Sequence, residues 1–294
     1  MKKILFIVNP YAGKRKIQTE LLDVIKIFNE ANYQVETSIT LYDKHAVELA
    51  KNTDADLIVC SGGDGTMNQV VMGLIASGKD IPIGYIPAGS TNDFANTLNL
   101  STNIQQCAYD IVQGQTTRID IGQFDDSYFT YIASFGLFTS VSYNTPQSQK
   151  NNLGHLAYVL EGLKDLGNMK TEKVKIVANG KETKGEYIFG AILNTTSIGG
   201  ILKIEKDVDL SDGLFEGVFV KEPKDLSAVN KIVNGISNSD FSDKTVFDYL
   251  KINKAQLHFE TPLNWSLDGE KKIGAKIVGI NILNKKVQIK KQEN

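Results

Sequence analysis

Cysteine is nearly absent from this chain. Its 294 residues include two, Cys60 and Cys107, each inside an apolar run. Two cysteines build neither a disulfide framework nor a zinc site, so a reducing cytosol is expected, with both thiols acting as small buried hydrophobes. Histidine is equally sparse, and His45, His155 and His258 show no metal-ligand spacing. No charge sign dominates. Lys and Arg total 32 against 34 Asp and Glu, a formal net charge of −2, which leaves no case for nucleic acid as the main partner. Electrostatic attachment to a membrane could rest only on local lysine clusters. No apolar run approaches the ~20 residues of a membrane span. The apolar start, Ile4 to Val8, stops at Asn9-Pro10 with no small-residue cleavage site, so it reads as a buried first strand and not a signal peptide. The sequons at Asn194 and Asn264 then carry no meaning.

What remains is ordinary for a soluble globular protein: 41% apolar and 22% charged residues, with enough length for two domains or one large one. One stretch stands out, Gly62-Gly63-Asp64-Gly65-Thr66-Met67-Asn68-Gln69. The apolar run Leu57 to Cys60 leads into it, and a helical pattern of Met67, Val70, Val71, Leu74 and Ile75 leads out. A strand, a glycine turn and a helix start present backbone N–H groups that lack intrahelical partners and favour an anion. Neither common phosphate signature is matched. Asp64 repels phosphate, and the simplest repair is a divalent cation shared between carboxylate and phosphate. A plain strand-to-helix turn with Asp as a cap is the alternative.

Along the chain, residues 3–8, 35–39, 56–60 and 83–86 read as strands. Helical patterns begin at Ile17, Ala46, Thr66 and Ile104, and a helix start rich in capping side chains follows Pro87 at Ser90 to Asp93. Strand alternating with helix predicts a doubly wound parallel sheet, whose strand C-termini gather the loops at 9–15, 40, 61–66 and 87–93 on one ligand-binding edge. Past about residue 115 the texture changes to antiparallel β. Strands are expected at 173–178, 185–193, 214–220, 255–260, 264–268, 276–283 and 285–290, with a hairpin turn at Asn179-Gly180. Helices are expected at 153–166 and 224–236. The division is read as 1–122, with 284–294 left open as an addition to it, and 123–283. The site is expected in a cleft between the two halves.

These stretches resemble the diacylglycerol kinase catalytic family, in its soluble bacterial lipid-kinase branch. The resemblance rests on Asn9-Pro10 with Gly13, Gly62 to Thr66 with Asn68, Pro87 through Asn92-Asp93-Phe94-Ala95, Asp209-Leu210-Ser211-Asp212-Gly213-Leu214, and Leu267-Asp268-Gly269-Glu270, in family order and spacing. The glycine-Asp stretch by itself is shared with NAD kinases. The resemblance implies an ATP-binding N-terminal α/β domain and a C-terminal antiparallel β-sandwich. It implies an ATP- and Mg²⁺-dependent kinase that converts diacylglycerol to phosphatidic acid. By motif position the nucleotide set is Asn9, Thr40, Gly62, Gly63, Asp64, Gly65, Thr66, Asn68, Gln69, Thr91 and Asn92. Gln69 and Ser90 depart from the family, where Glu and Gly are common. The rival readings are a kinase of another lipid alcohol or of NAD, and a nucleotide-binding regulator that has lost catalysis.

Phosphoryl transfer needs the triphosphate held, its charge neutralised and a hydroxyl placed in line. A catalytic Mg²⁺ bridging Asp64 and phosphate is expected, and Lys14 and Arg15 either offset charge or are simply solvated. Asp268 and Glu270 are two apart at a strand end, so continued strand geometry puts both on one side, where paired carboxylates raise one pKa. An ordinary Asp-Gly turn is the alternative. The resemblance places the general base in this motif, with Glu270 accepting the proton and Asp268 positioning it or sharing the role. Asp209 and Asp212 either form an acidic loop or hold a hard cation. The resemblance implies structural Mg²⁺ there, with the Leu214 carbonyl as a further ligand. The aromatics at 128–138 suit a core or an acyl channel. Lysines at 285–286 and 290–291 suit anionic headgroups in a transient contact at the inner face of the membrane. A homodimer is left open.

Overall fold

A computed structural model describes residues 1–137, 170–198, 202–203 and 208–292. The expected helix at 153–166, His155 and Phe138 lie outside the described residues. The chain divides into two compact units, Met1–Asp120 with Lys285–Asn294, and Ile121–Asn284.

The first unit is built on a parallel sheet. Strands β1 (Lys2–Val8), β2 (Tyr33–Ile39), β3 (Leu57–Gly62) and β4 (Ile83–Pro87) lie in the order β2-β1-β3-β4. They alternate with α1 (Ile17–Glu30), α2 (His45–Asn52), α3 (Asp64–Ser77), the short α4 (Asp93–Thr97) and α5 (Ile104–Gln113). Strands β1, β3 and β4 carry continuous buried runs because both faces are covered, whereas β2, at the end of the strand order, stays largely exposed. Ile4, Phe6 and Val8 pack with α1 and α5, and the Phe6 and Phe28 rings meet edge-on at 5.9 Å. Helices α2 and α3 pack on each other. The strand order reverses between β1 and β3, the switch point where open α/β sheets bind ligands beyond the strand C-termini. Strand β5 (Gln115–Phe124) leaves this unit for the second.

The second unit is an antiparallel β-sandwich. It contains β6 (Ser127–Phe129), β7 (Ile132–Gly136), β8 (Glu172–Ala178), β9 (Lys181–Leu193), the brief β10 (Ser197–Ile198) and β11 (Leu202–Lys203), and β12 (Phe215–Lys221). One helix, α6 (Leu226–Asn238), precedes β13 (Phe247–Ile252), β14 (Lys254–Phe259), β15 (Asn264–Leu267), β16 (Glu270–Ile273) and β17 (Ile277–Lys291). Its core gathers Phe124, Phe129, Phe135, Tyr187, Phe215 and Phe219 around Trp265, which is fully buried. The aromatics Phe129 and Phe135 are therefore core.

Three expectations change. Strand β9 begins at Lys181, directly after the Asn179-Gly180 turn, whose φ values of 50° and 77° suit a tight two-residue hairpin. The strands expected at 276–283 and 285–290 are one, β17, which passes through Lys285 at φ 50° and ends beside β4 with Ile289 opposite Ile83. The apolar run from Tyr128 breaks at Thr130-Tyr131, where the chain leaves β6 for β7.

Candidate active site

In the first unit, the loops after β1, β3 and β4 are tied together by backbone contacts. Asn9 N–H donates to the Ser61 carbonyl at 2.8 Å, and Ala88 N–H to the Gly62 carbonyl at 2.8 Å. The Asn9 amide donates to Thr66 Oγ1 at 3.0 Å, while its Oδ1 accepts from Tyr11 N–H at 3.0 Å. Glycine is required where the loops meet. A Cβ on Gly89 would lie 2.6 Å from Gly63 Cα, and one on Gly13, at φ 48°, would lie 2.3 Å from the Ala88 carbonyl. Asn92, at φ 55°, brackets Gly89, its Oδ1 accepting from the amide at 2.9 Å and its Nδ2 donating to the carbonyl at 3.0 Å.

Helix α3 starts at Asp64, two residues before the expected Thr66, with Gly63 at its N-cap and no side-chain cap. Its first turn presents the backbone N–H groups of a helix start. Asp64 has a different occupation from the one expected. Its Oδ2 accepts from Asp93 N–H at 2.9 Å and its Oδ1 from Phe94 N–H at 3.2 Å. The carboxylate therefore caps α4, and the amides at that helix start answer its charge. This cap takes one acceptor site of each oxygen. Of the other nucleotide-set residues, Thr40 is half-buried, with its N–H on the Val8 carbonyl at 2.9 Å. Gln69 Nε2 donates to Asp43 Oδ1 at 3.1 Å, and the Thr91 carbonyl accepts from Asn96. Gly62 and Gly65 complete the turn. Asn68 is buried, and its Oδ1 has no donor among the described residues. Lys14 and Arg15 are exposed, with the Arg15 guanidinium 5.5 Å from the Tyr11 ring centre.

In the second unit, Asp268-Gly269 is the two-residue turn joining β15 to β16, with φ values of 49° and 90°. Strand geometry does not persist through it, so the expectation of a paired, same-side Asp268 and Glu270 fails. Asp268 is buried and Glu270 is exposed. The Asp268 carboxylate accepts four hydrogen bonds: Thr130 N–H at 2.6 Å and Oγ1 at 2.8 Å on Oδ2, and Tyr131 and Ile132 N–H at 3.0 Å each on Oδ1. Burial raises its pKa to about 6, and these donors pull against that rise. Thr130 escaped the sequence reading. Its only signal is a hydroxyl inside an otherwise apolar stretch.

Comparison with known proteins agrees with this architecture. Residues 3–124 match the diacylglycerol kinase catalytic domain, and residues 132–289 match the YegS C-terminal NAD kinase beta sandwich-like domain. A diacylglycerol kinase of Bacillus subtilis (strain 168) is 32% identical over 274 residues, covering 92% of this chain and 90% of the relative. The chain belongs to the diacylglycerol kinase family. A diacylglycerol kinase of Staphylococcus saprophyticus is 31% identical over 293 residues, covering 98% of this chain and 94% of its own. The crystal structure of a candidate diacylglycerol kinase from Bacillus anthracis str. Sterne superposes with a TM-score of 0.85 at 25% identity, covering 99% of this chain and 95% of that one. The protein is thus a lipid kinase, a phosphotransferase with an alcohol acceptor.

Other residues singled out from the sequence can now be placed within this kinase. Asp209 Oδ1 accepts from Ser211 N–H and Oγ at 2.8 Å each, and Asp212 Oδ1 accepts from Leu214 N–H at 2.8 Å. Each carboxylate spends one oxygen on its own turn. The second oxygens and the Leu214 carbonyl are hard donors that suit a largely hydrated cation. Among the described residues, no group of three His, Cys, Asp or Glu is placed to hold a metal. Two lysines assigned to headgroups have other work. Lys290 Nζ donates to the Gly114 carbonyl at 2.7 Å and Lys291 Nζ to the Leu98 carbonyl at 3.1 Å, at the C-terminal ends of α5 and α4. Burial, then the neighbouring Lys2, lowers the Lys290 pKa. Both cysteines are buried free thiols, and burial pushes Cys107 up to about 12. No helix among the described residues is long and apolar enough to cross a membrane.

Proposed function

We propose that this lipid kinase transfers the γ-phosphoryl group of ATP to the free hydroxyl of diacylglycerol, giving phosphatidic acid and ADP, with Mg²⁺ as cofactor. The observation that carries the reading is the convergence of the Gly13, Gly63 and Gly89 loops at the β1/β3 switch point. Glycine backbone from the three loops meets there, braced by the Asn92 side chain, which leaves room for a polyphosphate to approach the amides of the α3 start. Thr66 is held in place by Asn9, and Gln69 by Asp43.

Mg²⁺, when bound with the nucleotide, neutralises phosphate charge. Each oxygen of the Asp64 carboxylate already accepts one amide, and the role assigned to Asp64 is to hold the start of α4 against the start of α3. The loop of Asp209, Asp212 and Leu214 fits a structural Mg²⁺. In the second unit Glu270 takes the proton of the acceptor hydroxyl as the O–P bond forms and the bond to ADP breaks. The lipid is reached by transient contact with the inner face of the membrane.

The test is incubation with labelled ATP, Mg²⁺ and mixed micelles of diacylglycerol. Label in phosphatidate is expected. Label in another lipid moves the acceptor, and label in NADP when NAD is supplied makes this an NAD kinase, a reading the name of the matched sandwich family keeps in play. Nucleotide binding without transfer would leave a regulator.

A further inference from the structure

The chain crosses from β6 to β7 at Thr130-Tyr131, and the crossing turns three successive backbone N–H groups, of residues 130 to 132, toward a single point. Consecutive amides aimed inward make an anion-binding concavity. Here the anion is supplied by the chain itself, 138 residues away in sequence from Thr130. The Thr130 hydroxyl adds a fourth donor, and Asp268 returns its own N–H to the Ile132 carbonyl at 2.9 Å. Beside it, Leu267 pairs with Ala133 on β7 and with Glu270 on β16. Asp268 is buried and held in the left-handed region at φ 49°. That is the conformation a two-residue Asp-Gly hairpin turn requires, and aspartate adopts it readily.

We propose that Asp268 is a positioning residue that carries no proton in the reaction: clamped by the amides of residues 130–132 and the Thr130 hydroxyl, it fixes the two-residue turn that aims Glu270. With both oxygens committed to donors inside the sandwich, its carboxylate is not presented to an acceptor alcohol. Glu270 follows one glycine later and is exposed. A rigid turn of this kind holds a base within the narrow geometric tolerance that proton transfer needs, and a misplacement of about 1 Å costs on the order of 10²-fold in rate. Thr130 is the part of the clamp that can be altered without touching the motif.

The inference rests on Glu270 as the base, and the experiment separates the two claims. Steady-state kinetics with ATP and diacylglycerol micelles are measured for Glu270→Gln, Thr130→Val, Thr130→Ser and Asp268→Asn, alongside thermal melting. Glu270→Gln is expected to lose activity with an unchanged melting temperature. Thr130→Val, which deletes one donor and keeps the shape, should lower kcat about tenfold while KM for ATP stays within twofold, and Thr130→Ser should recover most of that loss. A merely structural Thr130 would change the melting temperature and leave kcat of the folded enzyme alone. Wild-type kcat in Thr130→Val and in Asp268→Asn, with Glu270→Gln inactive, overturns this inference and leaves the base assignment standing. Wild-type turnover in Glu270→Gln overturns both. If Asp268→Asn folds and is as inactive as Glu270→Gln while Thr130→Val is unaffected, the proton belongs to Asp268 and the clamp reading is wrong.

Discussion

Replacing Asp64 by alanine separates a capping carboxylate from a metal-bridging one. The substitution removes both acceptors from the amides of Asp93 and Phe94, at 2.9 and 3.2 Å, and leaves the start of α4 without its charge partner. A lost helix cap typically costs about 1 kcal/mol and a hydrogen bond to a charged group about 1.5–3 kcal/mol. Asp64 is half-buried, so its bonds are weakened by solvent to the lower part of those ranges, and a loss of roughly 2 kcal/mol is expected. For a unit of this size that corresponds to a fall of roughly 4–8 °C in melting temperature. The measurement is differential scanning calorimetry on the nucleotide-free, metal-free protein. A carboxylate whose work is to bridge Mg²⁺ and phosphate contributes nothing under those conditions. An unchanged melting temperature for Asp64→Ala without ligand, together with loss of the Mg²⁺-dependent part of nucleotide affinity, would refute the capping argument. Asp64→Asn keeps one acceptor and should fall between the two.

Gly89→Ala would put a Cβ 2.6 Å from Gly63 Cα, backbone against backbone, so the loops must part. Nucleotide affinity by calorimetric titration should fall more than about tenfold, a loss of over 1.4 kcal/mol, and unchanged affinity would remove the loop convergence from the binding site. Asp268 sets a pH dependence. Its folded pKa, about 6, lies above the ordinary aspartate value of 3.8, so the native protein binds that proton more tightly than the unfolded chain. Its contribution to stability is therefore full below about pH 4, declines as pH rises through about 6 and is flat beyond; urea titrations from pH 4 to 7 should show this slope in the wild type and lack it in Asp268→Asn. Mg²⁺ should raise the melting temperature of the nucleotide-free protein, and Asp212→Ala should abolish the rise. No response to Mg²⁺ in the wild type would exclude a cation at the 209–214 loop.

What could be read early and what could not follow from the range of the forces involved. The turn at Gly62 to Gly65 was legible because strand, glycines and helix start are contiguous, and periodicity reports contiguous structure well. The Asn179-Gly180 hairpin was legible for the same reason. The work of Asp64 was not, since its hydrogen-bond partners lie 29 and 30 residues further along. Lys290 and Lys291 looked like solvated surface charges because nothing local shows that β17 brings their ammonium groups onto the ends of α5 and α4. The pairing of Asp268 with Glu270 failed through a local ambiguity. Asp-Gly reads both as a strand end and as a tight turn, and the register of Leu267 with Glu270 settles the matter.

By itself, then, the sequence determined the class of the fold and the family, because alternation of strand and helix, the later period-two patterning and the spaced glycine and acidic motifs are properties of order along the chain. Only the tertiary structure decided what each acid does. Burial and donor count set the state of a carboxylate, and both depend on which distant backbone amides the fold delivers: those of Asp93 and Phe94 to Asp64, and those of residues 130–132 to Asp268.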